Sequence, residues 1–181
     1  MWILLVVVVV LLGSAALPSF WGGAWSPTPM NIVNEMLALA HLQIGETLYD
    51  LGAGDGRVIL NAASQYGVKA IGVEIDPVKV FLINVRIQLK GLGRLVHVLK
   101  SDFFKADLSK ADVVFLYLSP VSHNRLSEKL LTELSDRARV VSYRRTMGDW
   151  PSETVDGSPN LHLYHMAQVK EHFLNVGQPH V

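Results

Sequence analysis

The feature that most constrains this chain is an apolar strand that runs into a glycine-rich loop and then a helix. Thr47 to Leu51 has the pattern of a short strand, and an amphipathic pattern begins at Arg57. Gly52, Gly54 and Gly56 lie between them. Glycine permits tight turns with positive φ and leaves no Cβ to obstruct a ligand. The stretch predicts an α/β domain in which free N–H groups at a helix N-terminus receive the polar end of a ligand.

The spacing and charge of this loop narrow the choice of ligand. Its glycines follow G-x-G-x-G, whereas a dinucleotide site has G-x-G-x-x-G. Asp50 and Asp55 would repel a pyrophosphate and would suit a ligand with positive charge. S-adenosylmethionine carries an amino group and a sulfonium, and we expect it as the cofactor. Asp50, Gly52 and Gly54 are predicted to help hold it.

Residues 50–57, Asp-Leu-Gly-Ala-Gly-Asp-Gly-Arg, resemble the first motif of class I (seven-β-strand) S-adenosylmethionine-dependent methyltransferases. Within that class the chain is most similar to membrane-anchored protein-lysine methyltransferases of the adenine nucleotide translocase and ATP synthase c-subunit type and their prokaryotic relatives. The resemblance covers roughly residues 27–170. It implies a three-layer α/β/α Rossmann-like sheet, mostly parallel with one antiparallel strand. It also implies N-methylation of lysine side chains in a membrane-associated protein.

The N-terminal residues form a long apolar run. Met1 to Leu17 has no charged side chain, and Phe20, Trp21 and Trp25 follow it. About 17–25 apolar residues span a bilayer, and aromatic residues favour its interface. We predict one N-terminal transmembrane helix, with residues 1–24 as anchor and interface segment. A cleaved signal peptide is the main alternative, although no Lys or Arg precedes the run, and a core helix is another.

The charge distribution does not orient this anchor, because no Lys or Arg precedes Arg57. S-adenosylmethionine is made in the cytosol, so we expect the catalytic domain on the side supplied with it, the cytoplasmic face in a prokaryote. The catalytic domain is predicted to occupy residues 25–170, and residues 171–181 are predicted to form a C-terminal tail.

Composition argues against several other functions. The formal net charge is zero and the basic residues are dispersed, so nucleic acid is not an expected partner. The absence of cysteine excludes disulfides and thiolate metal sites. His162 and His165 would point to opposite faces of a strand, and no acid is placed to complete a site with them. We therefore expect no metal.

Two acidic residues are candidates for the adenosyl part of the cofactor. Glu74 ends the second predicted strand, 22 residues after Gly52, where an acid suits vicinal ribose hydroxyls. A solvated strand end is the alternative for Glu74. Asp102 follows the third predicted strand and, as the resemblance implies, accepts a hydrogen bond from the adenine amino group. Phe103 is predicted to pack on the adenine, with Phe103 and Phe104 divided between cofactor and core.

The substrate side is predicted from residues 117–120, Tyr-Leu-Ser-Pro, at the carboxyl end of a buried strand. They depart from the Asn/Asp-Pro-Pro-aromatic pattern of enzymes that methylate planar nitrogens, and they match the Tyr-Leu-x-Pro-like stretch of the resembled lysine-modifying group. Tyr117 and Ser119 are predicted to orient the amine, and Tyr117, Pro120 and Trp150 to contact the substrate. Tyr117 has a core position as its alternative.

The remaining elements follow from local signals. Asp76 is predicted to cap a helix that begins at Pro77, and Thr28 to cap the first helix, with a cofactor contact as its alternative. Leu161 to Val169 is predicted as a strand in a closing antiparallel pair. Arg144 and Arg145 follow the fifth strand in a loop over the same sheet edge and have the pattern of a solvated pair.

Alternative functions share the same cofactor loop. A methyltransferase that acts on a lipid, quinone or other small membrane molecule would carry the same anchor and pocket. A non-catalytic S-adenosylmethionine-binding protein would keep the loop without the reaction. A dinucleotide oxidoreductase is disfavoured by the glycine spacing and by the lack of length for a substrate domain.

Overall fold

The computed structural model describes residues 27–155 and 158–176, and the secondary structure of these residues alternates between strands and helices. The elements in chain order are α1 (Met30–Leu39), β1 (Thr47–Leu51), α2 (Arg57–Tyr66), β2 (Lys69–Glu74), α3 (Pro77–Leu89), β3 (Val96–Lys100), β4 (Val113–Leu116), α4 (Pro120–Glu133), β5 (Arg139–Tyr143), β6 (Glu153–Val155), β7 (Ser158–His165) and α5 (Met166–Val176).

Within those residues the strands form one mixed sheet in the order β3-β2-β1-β4-β5-β7-β6. β1 pairs in parallel with β2 and β4, and β2 with β3 and β4 with β5 do the same. β7 is antiparallel to both β5 and β6. The predicted sheet, mostly parallel with one antiparallel strand near an edge, is confirmed. The chain reverses direction between β1 and β4, which opens a crevice at their carboxyl ends.

Two apolar cores lie on opposite faces of the sheet. Along β4, Val113 and Phe115 belong to the core that α1, α2 and α3 cover. Val114 and Leu116 belong to the other core, which α4 and α5 cover. Successive residues of a strand point to opposite faces, so a strand that is apolar throughout is buried on both sides. The layers are therefore helix, sheet and helix, as expected.

Local signals set the ends of the helices on either side of β2. Gly67, with φ of 67°, ends α2 and donates its N–H to Ala63 O at 3.1 Å. The Asp76 carboxylate accepts hydrogen bonds from the N–H groups of Val78 and Lys79 at the start of α3. The predicted cap at Asp76 is confirmed.

The predicted cap at Thr28 is wrong. α1 begins after Pro29 and has no side-chain cap. Thr28 is instead buried at 8 % exposure, and its carbonyl accepts a 2.7 Å hydrogen bond from Arg57 Nη1. A contact with a residue far along the chain therefore decides the position of Thr28.

The end of the chain also differs from the prediction. The strand ends at His165, and α5 replaces its expected continuation and runs past residue 170, where we expected the domain to end. The N–H groups of Met166 and Ala167 donate to Ala138 O and Asp136 O, both at 3.0 Å. These carbonyls satisfy the free amides of the first helical turn, which favours a helix start there.

No helix among residues 27–155 and 158–176 has both the length and the apolar character needed to cross a bilayer. The predicted anchor, residues 1–24, lies outside the described residues.

Gly72 gives a direct test of how closely α2 and the glycine loop approach β2. A Cβ at Gly72 would lie 2.8 Å from Ala53 Cβ and 2.8 Å from Ile59 Cδ1. We expect Gly72→Ala to lower the free energy of unfolding by about 1–3 kcal/mol, since an overpacked contact forces the backbone to shift. Urea unfolding measures the change. The control is Gly93→Ala, whose Cβ would meet nothing closer than Gln88 Nε2 at 3.8 Å, and an equal loss in both variants would contradict the close approach.

Candidate active site

The glycine loop is tied to the end of β2 by backbone and side-chain hydrogen bonds. Gly52 N and Ala53 N both donate to Val73 O, at 2.9 and 3.0 Å. Gly54 N donates to Glu74 Oε2 at 2.8 Å. Gly52, Gly54 and Gly56 have φ of 86°, 59° and 80°, so the predicted positive φ angles are confirmed. The amides of residues 52–54, however, are engaged within the protein and are not free for a ligand.

Asp50 is a buried carboxylate with no hydrogen-bond donor among the residues that the structure describes. It is 8 % exposed and sits one residue before the end of β1, beneath the loop. Burial, followed by the charges of Glu74 and Asp55, raises the pKa of Asp50 from 3.8 to about 7. A buried carboxylate among other acids favours a positively charged neighbour. This is the environment expected for the cationic end of a ligand.

Asp55, by contrast, already has its counterions. Its carboxylate accepts hydrogen bonds from Arg57 Nε and Nη2, each at 2.9 Å, and lies 3.1 Å from Arg86 Nη1. Burial alone would raise its pKa, but the hydrogen bonds from Arg57 and Arg86 outweigh that effect and lower it. Asp55 therefore fixes the loop between α2 and α3, and the negative charge that remains unpaired is that of Asp50.

A cavity of about 310 Å³ opens at the carboxyl edge of the sheet. Its walls are residues 27–28, the loop residues 50–55, the start of α2 and two segments that follow strands, 117–120 after β4 and 144–145 after β5. The structure thus brings Asp50, Gly52 and Gly54 together with Tyr117, Ser119 and Pro120. Residues far apart in the chain meet because the parallel strands end at one edge.

Glu74 and Asp102, predicted for the adenosyl part, are not among the residues that line this cavity. Glu74 is buried, and besides Gly54 N its carboxylate accepts from Ile75 N and Asp76 N, both at 3.0 Å. Asp102 accepts from Phe104 N at 2.9 Å, as a turn residue does. Phe103 packs on Phe104 with ring centroids 4.6 Å apart. Their roles toward the cofactor stay predictions.

Tyr117 and Arg144 meet on the substrate side of the cavity. Arg144 Nη1 donates to the Tyr117 hydroxyl at 3.2 Å, and the Tyr117 ring lies 4.9 Å from that of Tyr143. Arg144 has φ of 68°, a left-handed conformation that is uncommon for a residue with a side chain. Arg144 and Arg145 line the cavity rather than forming only a solvated pair, as the sequence had suggested.

Ser119 has a structural function in addition to its place on the cavity wall. It caps α4, and its Oγ accepts from Ser122 N at 3.4 Å. The helix therefore starts at Pro120, earlier than the Ser122 or His123 start that we predicted.

His123 joins the two substrate-side segments, and sequence reasoning missed this function. Its Nε2 lies 2.9 Å from Ser142 Oγ, and its Nδ1 lies 3.2 Å from Ser119 O. Because Ser142 Oγ donates to Arg145 O at 2.6 Å, it accepts the proton of His123 Nε2. Burial, together with the charge of Arg145, keeps the pKa of His123 below its usual value. The signal in the sequence was a histidine one turn into a helix, and that position alone does not distinguish a bridging histidine from a packed or solvated one.

Trp150 was predicted to contact the substrate, but the structure places it in the core between α4 and the sheet. It is 5 % exposed, its Nε1 donates to Ser127 Oγ at 3.1 Å, and its ring packs edge-on against Tyr164. It does not line the cavity. The aromatic–Pro element packs there because its indole has an apolar pocket and a hydrogen-bond acceptor.

Comparison with known proteins matches residues 50–154 to the model of the ANTKMT methyltransferase domain. The chain belongs to this methyltransferase family. It is 36% identical over 151 residues to a protein-lysine N-methyltransferase of Saccharolobus islandicus, covering 81% of this chain and 93% of that protein. It is 30% identical to the lysine N-methyltransferase of the ATP synthase c-subunit from Xenopus laevis, covering 72% of this chain. The chain spans 57% of the length of that frog relative.

A solved structure gives the same fold with a bound cofactor product. The RNA methyltransferase of Salinibacter ruber in complex with S-adenosylhomocysteine is 36% identical, with a TM-score of 0.73 over 78% of this chain and 94% of that one. The fold is therefore that of a class I methyltransferase, and S-adenosylmethionine is the cofactor. The unpaired carboxylate of Asp50 beside the loop fits a cofactor with a cationic end. The chain is an S-adenosylmethionine-dependent methyltransferase related to protein-lysine N-methyltransferases.

The raised pKa of Asp50 predicts a stability cost in the cofactor-free protein. Because its folded pKa, about 7, exceeds the unfolded value of 3.8, the cost is absent below the unfolded pKa and grows as pH rises toward 7. We expect Asp50→Asn to raise the free energy of unfolding at neutral pH by up to ~4 kcal/mol, and to leave it little changed below pH ~4.

Thermal unfolding across pH, with and without S-adenosylmethionine, measures this effect. The variant should gain less from the cofactor than the parent protein, because the carboxylate that receives positive charge is gone. Asp149→Asn, at an exposed position, serves as control and should change neither quantity. A less stable Asp50→Asn protein at neutral pH would show that the Asp50 charge is compensated.

Proposed function

We propose that this chain N-methylates lysine side chains of a membrane-associated protein. Asp50, Gly52, Gly54, Glu74, Asp102 and Phe103 hold the cofactor in this proposal, and Tyr117, Ser119 and Pro120 face the amine. The observation that carries the proposal is one cavity with a buried, unpaired carboxylate on one wall and the Tyr-Leu-Ser-Pro segment on another. Similarity to the Saccharolobus protein-lysine N-methyltransferase over nearly its whole length supports lysine as the acceptor.

The charge of the cavity suits an amine that must react in its neutral form. When bound, S-adenosylmethionine supplies a methyl group on a positively charged sulfur, which an uncharged amine attacks in line. Arg144 and Arg145 line the substrate side, and their positive charges disfavour the protonated form of an incoming lysine. Tyr117, whose hydroxyl accepts from Arg144, is placed to orient the amine. Alignment in a cavity closed to bulk water supplies most of the rate.

Membrane association is proposed from the N-terminal segment and the relatives. Residues 1–24 are apolar over a length that spans a bilayer, and the ATP synthase component that the frog relative is named for gives a precedent for an organellar target. We place residues 1–24 as a single-pass anchor, residues 25–170 as the catalytic domain and residues 171–181 as the tail. The anchor concentrates the enzyme on membrane targets, with the domain on the side supplied with cofactor.

RNA is the second acceptor to test, because the Salinibacter structure is that of an RNA methyltransferase. The segment 117–120 argues against it. It has Tyr-Leu-Ser-Pro where enzymes that methylate planar base nitrogens often have Asn/Asp-Pro-Pro-aromatic, which grips a flat amine.

The proposal is tested by transfer of radiolabelled methyl groups from S-adenosylmethionine to three acceptors: membrane proteins, total RNA and extracted lipids. We expect label in membrane protein, recovered as methyl-lysine after acid hydrolysis. Glu74→Gln should reduce transfer at least about tenfold, because it removes a charge that the ribose hydroxyls and the loop both use. Glu128→Gln, at an exposed position on α4, is the matched control. Label only in RNA or only in lipid would contradict lysine methylation.

The two arginines predict the pH dependence of transfer. Arg145→Gln removes a positive charge near the amine, so the pKa of the acceptor lysine rises and the rate increases at higher pH than in the parent enzyme. We expect an upward displacement of the pH–rate midpoint by up to ~1 pH unit. Arg137→Gln, exposed after α4, is the control. A midpoint that does not move would place the amine away from Arg145.

A further inference from the structure

The outer face of α3 is apolar and uncovered by any described residue. Phe81, Leu82, Val85 and Leu89 are 65, 46, 39 and 82 % exposed. At helical spacing they form one stripe, directly opposite Ile83 and Ile87, which are buried against the sheet. We call these four exposed residues the α3 stripe. Isolated exposed apolar residues are normal, but four on one helix face mark a contact surface.

The charges around the α3 stripe are of one sign. Between residues 77 and 100 the sequence has five basic residues, Lys79, Arg86, Lys90, Arg94 and Lys100, and no Asp or Glu. Lys79, Arg86 and Lys90 fall on one flank of the stripe at helical spacing. Arg86 is held by Asp55, whereas Lys90 and Arg94 are exposed. An apolar stripe with a basic flank is the composition of a helix that lies in the interface of an anionic bilayer.

The described part of the chain begins close to α3. The Thr28 carbonyl accepts from Arg57, Arg57 pairs with Asp55, and Asp55 pairs with Arg86 of α3. Three consecutive contacts therefore connect the start of the domain with α3. The 26 residues that precede Pro27 include the apolar run proposed as the anchor. A bilayer that holds this run lies within reach of α3.

We propose that the α3 stripe and its basic flank dock the catalytic domain on an anionic bilayer surface. This docking builds on the membrane anchoring proposed above, and it is independent of which acceptor is methylated. The apolar side chains enter the boundary between headgroups and acyl chains, and Lys90 and Arg94 contact anionic headgroups. The anchor alone leaves the domain free to turn, and the second contact fixes which side of the domain faces the membrane.

The absence of cysteine allows a site-specific test in the full chain. Leu89→Cys, labelled with an environment-sensitive fluorophore, is reconstituted into phosphatidylcholine vesicles with or without phosphatidylglycerol. Lipids brominated in their acyl chains serve as quenchers. We expect blue-shifted emission and strong quenching in vesicles with phosphatidylglycerol, both reduced by added salt. The label at Leu174→Cys, 85 % exposed on α5, should remain solvent-exposed in both.

Charge reversal separates headgroup contact from general adhesion. Lys90→Glu with Arg94→Glu should reduce the quenching at Leu89 several-fold, whereas Lys105→Glu with Lys110→Glu, which changes the net charge equally, should not. A label that stays in water in vesicles to which the chain is bound would overturn the docking and leave the anchor. A shielded label that brominated lipid does not quench would overturn the docking and show that a second copy or another protein covers α3. A chain that does not bind vesicles would overturn both docking and anchoring, while methyl transfer is measured separately.

Discussion

The arrangement of this domain depends on one carboxylate, that of Glu74 at the tip of β2. It accepts from Gly54 N on one side and from Ile75 N and Asp76 N on the other, so it joins the glycine loop to the start of α3. Charge-assisted hydrogen bonds to backbone amides are among the stronger ones in a protein. Because this carboxylate is buried, it also imposes its charge on Asp50. The geometry of the loop and the polarity of the cavity thus have a common origin.

The cavity that results is electrostatically divided. Asp50 contributes negative charge on the β1 wall, and Arg144 and Arg145 contribute positive charge beyond β5. A cationic cofactor and a neutral amine acceptor are the two molecules that this division accommodates. His123 keeps the positive wall in place, because it bridges Ser119 after β4 and Ser142 after β5 from a helix that packs beneath both.

Where one local signal decided an element, the sequence was sufficient. The strand–loop–helix unit, Gly67 at the end of α2 and Asp76 before Pro77 are set by residues within a few positions of each other, and all were predicted. Thr28, Trp150 and the start of α5 depend on partners distant in the chain: Arg57, Ser127 and the carbonyls of residues 136 and 138. Alternating apolar residues from Leu161 onward fit a strand equally well, so periodicity gave no sign of the helix. The meeting of Asp50 with residues 117–120 was predictable because parallel strands share an edge, whereas the bridge from His123 to Ser142 was not.

The solitary charge of Asp50 also links the survival of this protein to the supply of its cofactor. A ligand that binds only the folded state adds to its stability in proportion to the logarithm of its concentration. The binding of a cationic ligand also relieves the cost of an ionised, buried carboxylate. When S-adenosylmethionine is scarce, a larger fraction of the chains unfolds and becomes accessible to proteases. The amount of enzyme in the cell then follows the availability of methyl donor, without any separate regulator.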